Sequence, residues 1–223
     1  MLAIVFVGLL VLAGCSTKSP TTTAESAVGG GGSTTETVDE APTGGDTLYT
    51  PSYVPTGSET AVIKTTQGEI RVELYGKDAP IHVGNFVELA RKGYYDQIKF
   101  HRYVADFVIQ GGDPATRDAS SEEVAQAAQG GGGGFGTGGP GYRIKGEFDP
   151  TVNPNKHVEG ALGMARTQEP DSAGSQFYFA LAPLPSLDGQ YTVFGVVTEG
   201  MDVVKALRAG DAIESVEILG AQD

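Results

Sequence analysis

The sequence has one cysteine, no tryptophan and only 15 Lys and Arg against 28 Asp and Glu among its 223 residues. A single cysteine excludes an internal disulfide, and the three widely spaced histidines do not form the cluster typical of a zinc site. The formal net charge of −13 argues against nucleic acid as a partner, because such a surface repels phosphate backbones. We therefore expect no metal site and no nucleic-acid partner.

The N-terminus has an apolar stretch, Met1–Ala13, that is too short to cross a bilayer as a helix but suits the core of a signal peptide. Its end, Leu12-Ala13-Gly14-Cys15, resembles the bacterial lipobox, in which the cysteine is acylated and becomes the new N-terminus. The stretch departs from a signal peptide in having no Lys or Arg before Lys18, so an uncleaved anchor or a buried apolar segment stays open. We expect a signal peptide over residues 1–14 and an extracytoplasmic protein anchored in the bacterial membrane through lipidated Cys15.

Residues 15–57 are rich in Ser, Thr, Gly, Pro and Ala and show no apolar periodicity. Such a composition cannot bury enough apolar surface to offset the entropy of ordering, so it predicts a flexible tether. Some 40 residues would give a mean reach of roughly 35 Å. Tyr49 and Tyr53 are the residues where contact with a folded domain could begin.

The folded domain is expected over residues 58–223, where periodic patterns replace the low-complexity composition. Ile70, Val72 and Leu74 alternate with charged residues, as in a half-buried strand. Helical spacing follows Pro80 and recurs near Met201–Arg208. Many strands and only two helices predict a mainly β closed barrel with helices covering its ends. Residues 115–134, which include a weak helix candidate and the five-glycine run Gly130–Gly134, are interpreted as a surface-loop insertion. The further predicted strands are 98–103, 107–110, 161–165, 176–181, 192–198 and 213–219.

The usual catalytic motifs are missing. Gly130–Gly134 lacks the Gly-Lys-Ser/Thr ending of a phosphate-binding loop. Ser175 is not in a Gly-x-Ser-x-Gly elbow, and it is not paired with a credible base. What remains is a set of apolar, aromatic and amide side chains around one arginine.

Four blocks of sequence together resemble the cyclophilin family of peptidyl-prolyl cis/trans isomerases. The resemblance covers about residues 59–219 and implies a closed eight-stranded antiparallel barrel capped by two α-helices. It implies an enzyme that rotates X-Pro bonds of proline-containing polypeptides without a cofactor, and we expect it to act as a monomer. The blocks are Phe100-His101-Arg102-Tyr103-Val104 with Phe107-Val108-Ile109-Gln110-Gly111-Gly112-Asp113, Gly136–Tyr142 with Gly146-Glu147-Phe148, Gly163-Met164-Ala165-Arg166 with Gly174–Tyr178, and Leu187–Gly195.

The resemblance also implies roles for individual residues. Arg102 would donate a hydrogen bond toward the prolyl nitrogen or carbonyl as the amide twists, and Gln110 would orient Arg102 and bond the substrate backbone. The proline ring would enter an apolar socket, and further residues would line the adjoining groove. The socket residues are Phe107, Val108, Tyr178 and Leu187 with Met164 nearby, and the groove residues are Ala165 and Arg166 through their main chains, Gln176, and Tyr191 in an uncertain role. For each apolar member, ordinary core packing is the alternative.

Several positions depart from the best-known members of the family. Val108 replaces a Met, and Arg166 replaces an Asn. Tyr178 replaces a Phe and so adds a hydroxyl at that position. Tyr191 stands for a His, and Ser186 for the Trp that aids cyclosporin binding, so we expect weak cyclosporin affinity. A weakly catalytic module that binds proline-containing segments of an envelope partner is the alternative function. The sequence does not indicate the physiological substrate.

Overall fold

The computed structural model describes residues 48–130 and 134–221. The predicted signal peptide, Cys15 and most of the predicted tether lie outside the described residues. The described part contains eight strands, three α-helices and two short 3-10 turns. In chain order these are β1 (Thr60–Thr65), β2 (Gly68–Leu74), α1 (Pro80–Arg91), β3 (Arg102–Val104), β4 (Val108–Gly111), the turn Pro114–Thr116, α2 (Ser121–Gly130), β5 (Ala161–Met164), β6 (Phe177–Ala180), the turn Pro185–Leu187, β7 (Val193–Glu199), α3 (Met201–Ala206) and β8 (Ile213–Leu219).

The eight strands form one antiparallel sheet in the order β3-β4-β6-β5-β7-β2-β1-β8. The sheet curls into an open half-barrel, so the prediction of a closed barrel is wrong. Its two edge strands, β3 and β8, do not pair with each other. The segments that precede them meet at one isolated bridge, between Lys99 and Ala212. Backbone hydrogen bonds flank this bridge, from the Ile213 N–H to the Ile98 carbonyl oxygen at 2.8 Å and from the Phe100 N–H to the Asp211 carbonyl oxygen at 2.9 Å. The N–H of Lys99 points away from the bridge and donates to Thr116 Oγ1 at 2.9 Å.

The alternation predicted from the sequence explains how the strands bury one face. In β2, Ile70, Val72 and Leu74 are buried while Glu69 and Glu73 are exposed. These side chains point into the main core together with the face of α1 that carries Phe86. The period of two therefore places β2 correctly with its apolar side inward.

The structure has one helix more than the two that the sequence predicts, and a residue far away in the sequence satisfies the start of the first helix. The carboxylate of Glu147, on a distant loop, accepts the N–H groups of Ile81 at 3.0 Å and His82 at 2.9 Å and so satisfies the start of α1. The third helix, α2, lies within the predicted insertion. It begins with a capping box, in which Ser120 Oγ accepts from the Glu123 N–H and the Glu123 carboxylate accepts from the Ser120 N–H.

A second, smaller apolar cluster lies on the opposite face of the sheet from the main core. It consists of the buried residues Val108, Ala161, Tyr178, Ala180, Leu184 and Val193. Five partly buried residues pack against it: Tyr75, Phe107, Ala165, Leu187 and Tyr191. This outer cluster supports the candidate site described below.

The last residues of the predicted tether lie against the folded domain, so the predicted boundary after residue 57 is too late. The Glu88 carboxylate, on α1, accepts hydrogen bonds from the Tyr49 hydroxyl, from the Ser52 N–H and hydroxyl, and from the Tyr53 N–H. Hydrogen bonding to Glu88 raises the pKa of Tyr49 to about 12. Residues 49–53 are therefore attached to the folded domain. Among the described residues, no helix has the length and apolar character needed to cross a membrane.

Candidate active site

The pairing register of the central strands places the predicted site residues in rows. Arg102 of β3 lies opposite Gln110 of β4, Gln110 lies opposite Tyr178 of β6, and Tyr178 lies opposite Gly163 of β5. Side chains in such a row share one face of the sheet, and the residues between them, such as Ile109, face the main core. The fold thus brings together residues separated by up to 76 positions in the sequence.

A hollow of about 330 Å³ opens over this row. Nine of the eleven predicted catalytic and substrate-binding residues line it. They are Arg102, Phe107, Val108, Gln110, Ala165, Arg166, Tyr178, Leu187 and Tyr191. Its floor is apolar, since Val108 and Tyr178 are 2% and 4% exposed. A hollow of this size, with an apolar floor and an arginine at the rim, can hold a compact apolar ring.

Arg102 lies at the mouth of the hollow. Its Cζ atom is 5.6 Å from the centroid of the Phe107 ring. The side chain is exposed and forms no ion pair within the described residues. Its guanidinium is therefore a fixed positive donor beside an apolar wall, free to meet a ligand.

Gln110 does not hydrogen-bond Arg102 within the described part of the chain, contrary to the orienting role expected for it. Its Nε2 instead donates to Gln176 Oε1 at 3.0 Å, and Gln176 Nε2 donates to the carbonyl oxygen of Gly138 at 2.8 Å. The two amides form a chain of hydrogen bonds from the sheet to the segment Gly136–Tyr142, which contains Gly138. Gln176 itself lines a neighbouring hollow, also of about 330 Å³, together with Gln110, Ala165 and Arg166.

Tyr178 finds a partner for the hydroxyl that a Phe would lack. Its hydroxyl lies 2.8 Å from His157 Nε2, and His157 Nδ1 lies 3.0 Å from Asp188 Oδ1. Because an ionised carboxylate only accepts, Nδ1 of neutral His157 carries the proton and Nε2 accepts from Tyr178. The Asp188 carboxylate also accepts the His157 N–H at 2.9 Å. This relay joins the socket floor to the turn that carries Leu187.

Burial controls the protonation of the relay. Desolvation lowers the pKa of His157, although the hydrogen bond and charge of Asp188 raise it. Desolvation also raises the pKa of Tyr178. At neutral pH both groups are therefore uncharged, and the socket floor carries no charge. Neither His157 nor Asp188 was among the predicted site residues; the only signal for them was a tyrosine hydroxyl in an otherwise apolar strand.

Arg166 acts through its side chain as well as its main chain. Its Cζ lies 4.7 Å from the Tyr191 ring centroid and 5.3 Å from the Phe148 ring centroid. Its Nε donates to the Gln190 carbonyl oxygen at 2.8 Å and its Nη1 to that of Thr167 at 2.8 Å. The sequence-based expectation that only the Arg166 backbone matters is therefore too narrow.

Met164 does not lie in the socket, and its predicted substrate-binding role is wrong on geometric grounds. It is 1% exposed and belongs to the main core. The neighbouring Gly163 faces the socket side, so the alternation of β5 sends Met164 inward. A Cβ atom at Gly163 would lie 2.3 Å from Tyr178 Cζ, so the tyrosine ring occupies the space that a side chain at position 163 would need.

A family model matches residues 60–221 and describes a cyclophilin type peptidyl-prolyl cis-trans isomerase. The chain belongs to the cyclophilin family. A peptidyl-prolyl cis-trans isomerase from Helicobacter pylori (strain ATCC 700392 / 26695) is 46% identical over 158 residues, which cover 70% of this chain and 84% of the relative. Peptidyl-prolyl cis-trans isomerase B from Bacillus subtilis (strain 168) is 41% identical over 152 residues, covering 68% and 92%.

The structure is also similar to solved cyclophilin structures. A cyclophilin type peptidyl-prolyl cis-trans isomerase from Cryptosporidium parvum superposes with a TM-score of 0.60 at 27% identity, covering 74% of this chain and 99% of that chain. The cyclophilin fold and the isomerase activity predicted from the sequence are therefore confirmed. This cyclophilin is a peptidyl-prolyl cis-trans isomerase.

Proposed function

We propose that this isomerase works outside the cytoplasm, on X-Pro bonds of proteins near the bacterial membrane to which lipidated Cys15 anchors it. The lipobox-like residues that end at Cys15 support the anchor, and the low-complexity sequence that follows supports a tether long enough to lift the domain away. We expect the domain to act as a monomer.

The residue roles rest on one observation, the Arg102 guanidinium beside the Phe107 ring at the mouth of an apolar hollow. Rotation of a peptide bond has a barrier of about 18–20 kcal/mol because amide resonance is lost as the bond twists. A donor that bonds the prolyl nitrogen or the neighbouring carbonyl only in the twisted state lowers that barrier. In this proposal Arg102 is that donor while the proline ring occupies the socket, and its position beside Phe107 supports the assignment.

The other lining residues hold the substrate. Phe107, Val108, Tyr178 and Leu187 supply apolar contacts to the proline ring, with Tyr191 above them. The main chains of Ala165 and Arg166 face the residue before proline, and the Gln110–Gln176 pair lines the groove beyond. A solved structure of the Cryptosporidium parvum relative was determined in the presence of the dipeptide Ala-Pro, which supports a proline-containing ligand here.

The catalytic role is tested by Arg102→Ala in a prolyl-peptide isomerisation assay. We expect kcat/KM to fall about a hundredfold or more, because a donor aimed at the transition state is lost. Arg102→Lys keeps the charge without the planar fork and should recover only part of the rate. Arg71→Ala, which removes an exposed arginine on β2, is the matched control. Unchanged turnover in a folded Arg102→Ala protein would contradict the assignment.

The anchor is tested by Cys15→Ala in the full chain, with Ser16→Ala as the control. We expect the wild-type protein and the control to incorporate a labelled fatty acid and to fractionate with membranes. Cys15→Ala should do neither. Membrane association that survives the loss of Cys15 would show that something other than lipidation holds the protein there.

A further inference from the structure

The substrate groove has the opposite charge to the rest of the protein. Besides the socket, three neighbouring hollows of about 330, 660 and 480 Å³ share lining residues with it. Three arginines line these four hollows, namely Arg102, Arg143 and Arg166, and neither Asp nor Glu lines any of them. The groove therefore carries positive charge, although the chain has a formal net charge of −13.

The charges of these arginines are not neutralised inside the domain. None of the three forms an ion pair among the residues that the structure describes. Asp188, which follows Leu187 at the rim, is already engaged by His157 and lies 3.8 Å from the Lys156 ammonium. The field in the groove therefore stays positive and is available to a ligand.

Arg166 is the arginine best prepared to meet an acidic side chain. Its guanidinium is held between the Tyr191 and Phe148 rings. Its Nε and Nη1 atoms donate to the carbonyl oxygens of Gln190, Thr167 and Gln168. Neutral carbonyls fix its position without cancelling its charge, so little side-chain entropy is lost when an anion arrives.

The position of Arg166 determines which substrate residue it would meet. Ala165 and Arg166 line both the socket and the neighbouring hollow that contains Gln176. A polypeptide whose proline ring fills the socket must pass Arg166 as it leaves toward that hollow. Arg143 lies further along the same hollow and adds positive charge there.

We propose that the groove selects proline-containing segments with an acidic residue directly before the proline, and that Arg166 is the specificity-determining residue. The proposal rests on the proposed function, because it takes the proline ring to occupy the socket beside Arg102. An exposed ion pair contributes about 0.2–1 kcal/mol, which corresponds to roughly a 1.4- to fivefold preference in kcat/KM.

The experiment compares three otherwise identical peptides, acetyl-Ala-Xaa-Pro-Phe anilides with Xaa as Glu, Gln or Lys. For the wild-type full chain we expect kcat/KM in the order Glu, Gln, Lys, with Glu about 1.4- to fivefold above Gln at low salt. The preference should shrink toward unity at about 0.5 M salt, where exposed charges are screened. In Arg166→Gln the Glu-to-Gln ratio should fall to about one, and Arg166→Lys should restore part of it.

The control is Arg71→Gln, which changes the net charge by the same amount on β2, away from the groove, and should keep the wild-type ratio. An equal rate for Glu and Gln peptides in the wild type would overturn the proposal, and so would a preference that survives Arg166→Gln. If Arg166→Gln does not fold, two other measurements test the proposal. The Glu-to-Gln ratio of kcat/KM should shrink with salt in the wild type, and it should be reduced in Arg143→Gln; a ratio that changes in neither case would overturn the proposal. Failure to accelerate any of the three peptides would instead overturn the proposed function.

Discussion

Replacing Tyr178 with Phe tests the buried relay beneath the socket. The substitution keeps the ring that forms the socket floor and removes only the hydroxyl that lies 2.8 Å from His157 Nε2. His157 is 2% exposed, so water cannot easily replace the lost donor. The variant therefore leaves one buried acceptor without its partner while the apolar contacts stay.

The expected cost follows from that buried acceptor. Leaving a buried polar atom unsatisfied costs about 1–3 kcal/mol, and removing a hydroxyl from an apolar cluster recovers part of this. We expect Tyr178→Phe to lower the free energy of unfolding by about 1–2 kcal/mol at pH 7.5. For a domain of this size the midpoint of thermal unfolding should fall by about 3–6 °C. The isomerase rate should change little, since the ring still closes the socket.

Thermal and urea unfolding of matched variants measure this effect. Tyr103→Phe is the control, because within the described residues the Tyr103 hydroxyl has no hydrogen-bond partner and its ring contact with Arg208 persists in Phe. A double-mutant cycle of Tyr178→Phe with Asp188→Asn should show non-additive losses, since both groups bind the same imidazole. A Tyr178→Phe protein as stable as the wild type would refute the reasoning that the relay stabilises the fold.

Two further predictions concern other buried contacts. Burial raises the pKa of Glu59, but hydrogen bonds from Thr56, Tyr53 and its own backbone lower it to about 2. The unfolded chain takes up the Glu59 proton first, near the ordinary pKa of 4.5, so the free energy of unfolding should fall by at most about 3 kcal/mol as the pH drops from about 4.5 to 2. Glu59→Gln should flatten that part of a pH–stability profile. Gly163→Ala should destabilise the domain by about 1–3 kcal/mol in urea unfolding, because the new methyl group meets Tyr178 Cζ at 2.3 Å, and pairing it with Tyr178→Ala should recover part of the loss.

The sequence predicted those parts of the fold that local patterns specify. The alternation around Ile70 places β2, and the residues around Arg102 and Phe107 identify the family and the socket. Closure of the barrel was predicted wrongly because it depends on a contact between two segments far apart in the sequence, and these meet at the single bridge between Lys99 and Ala212. No local pattern reports such a contact.

The candidate site was likewise predicted only where the sequence carries a motif or a strand pattern. Arg102, Gln110 and Tyr178 come together because strand register aligns them, and the family motif already implied that. Met164 was assigned to the socket because neighbouring residues of a strand face opposite sides of the sheet, and a shift of one position separates the socket from the core. The relay from Tyr178 to Asp188 escaped prediction because it joins three segments through side-chain geometry. Arg166 was underestimated since its ring and carbonyl contacts exist only in three dimensions.

The attachment of residues 49–53 to Glu88 bears on how the enzyme should be shortened for study. A protein cut to the family match at residue 60 would lack the donors that surround this carboxylate, and it would also lose Glu59 with its hydrogen bonds from Tyr53 and Thr56. The Glu88 carboxylate would then face solvent without these hydrogen bonds, and the shortened protein would be less stable than the domain it is meant to represent. A start at residue 48 keeps both sets of bonds.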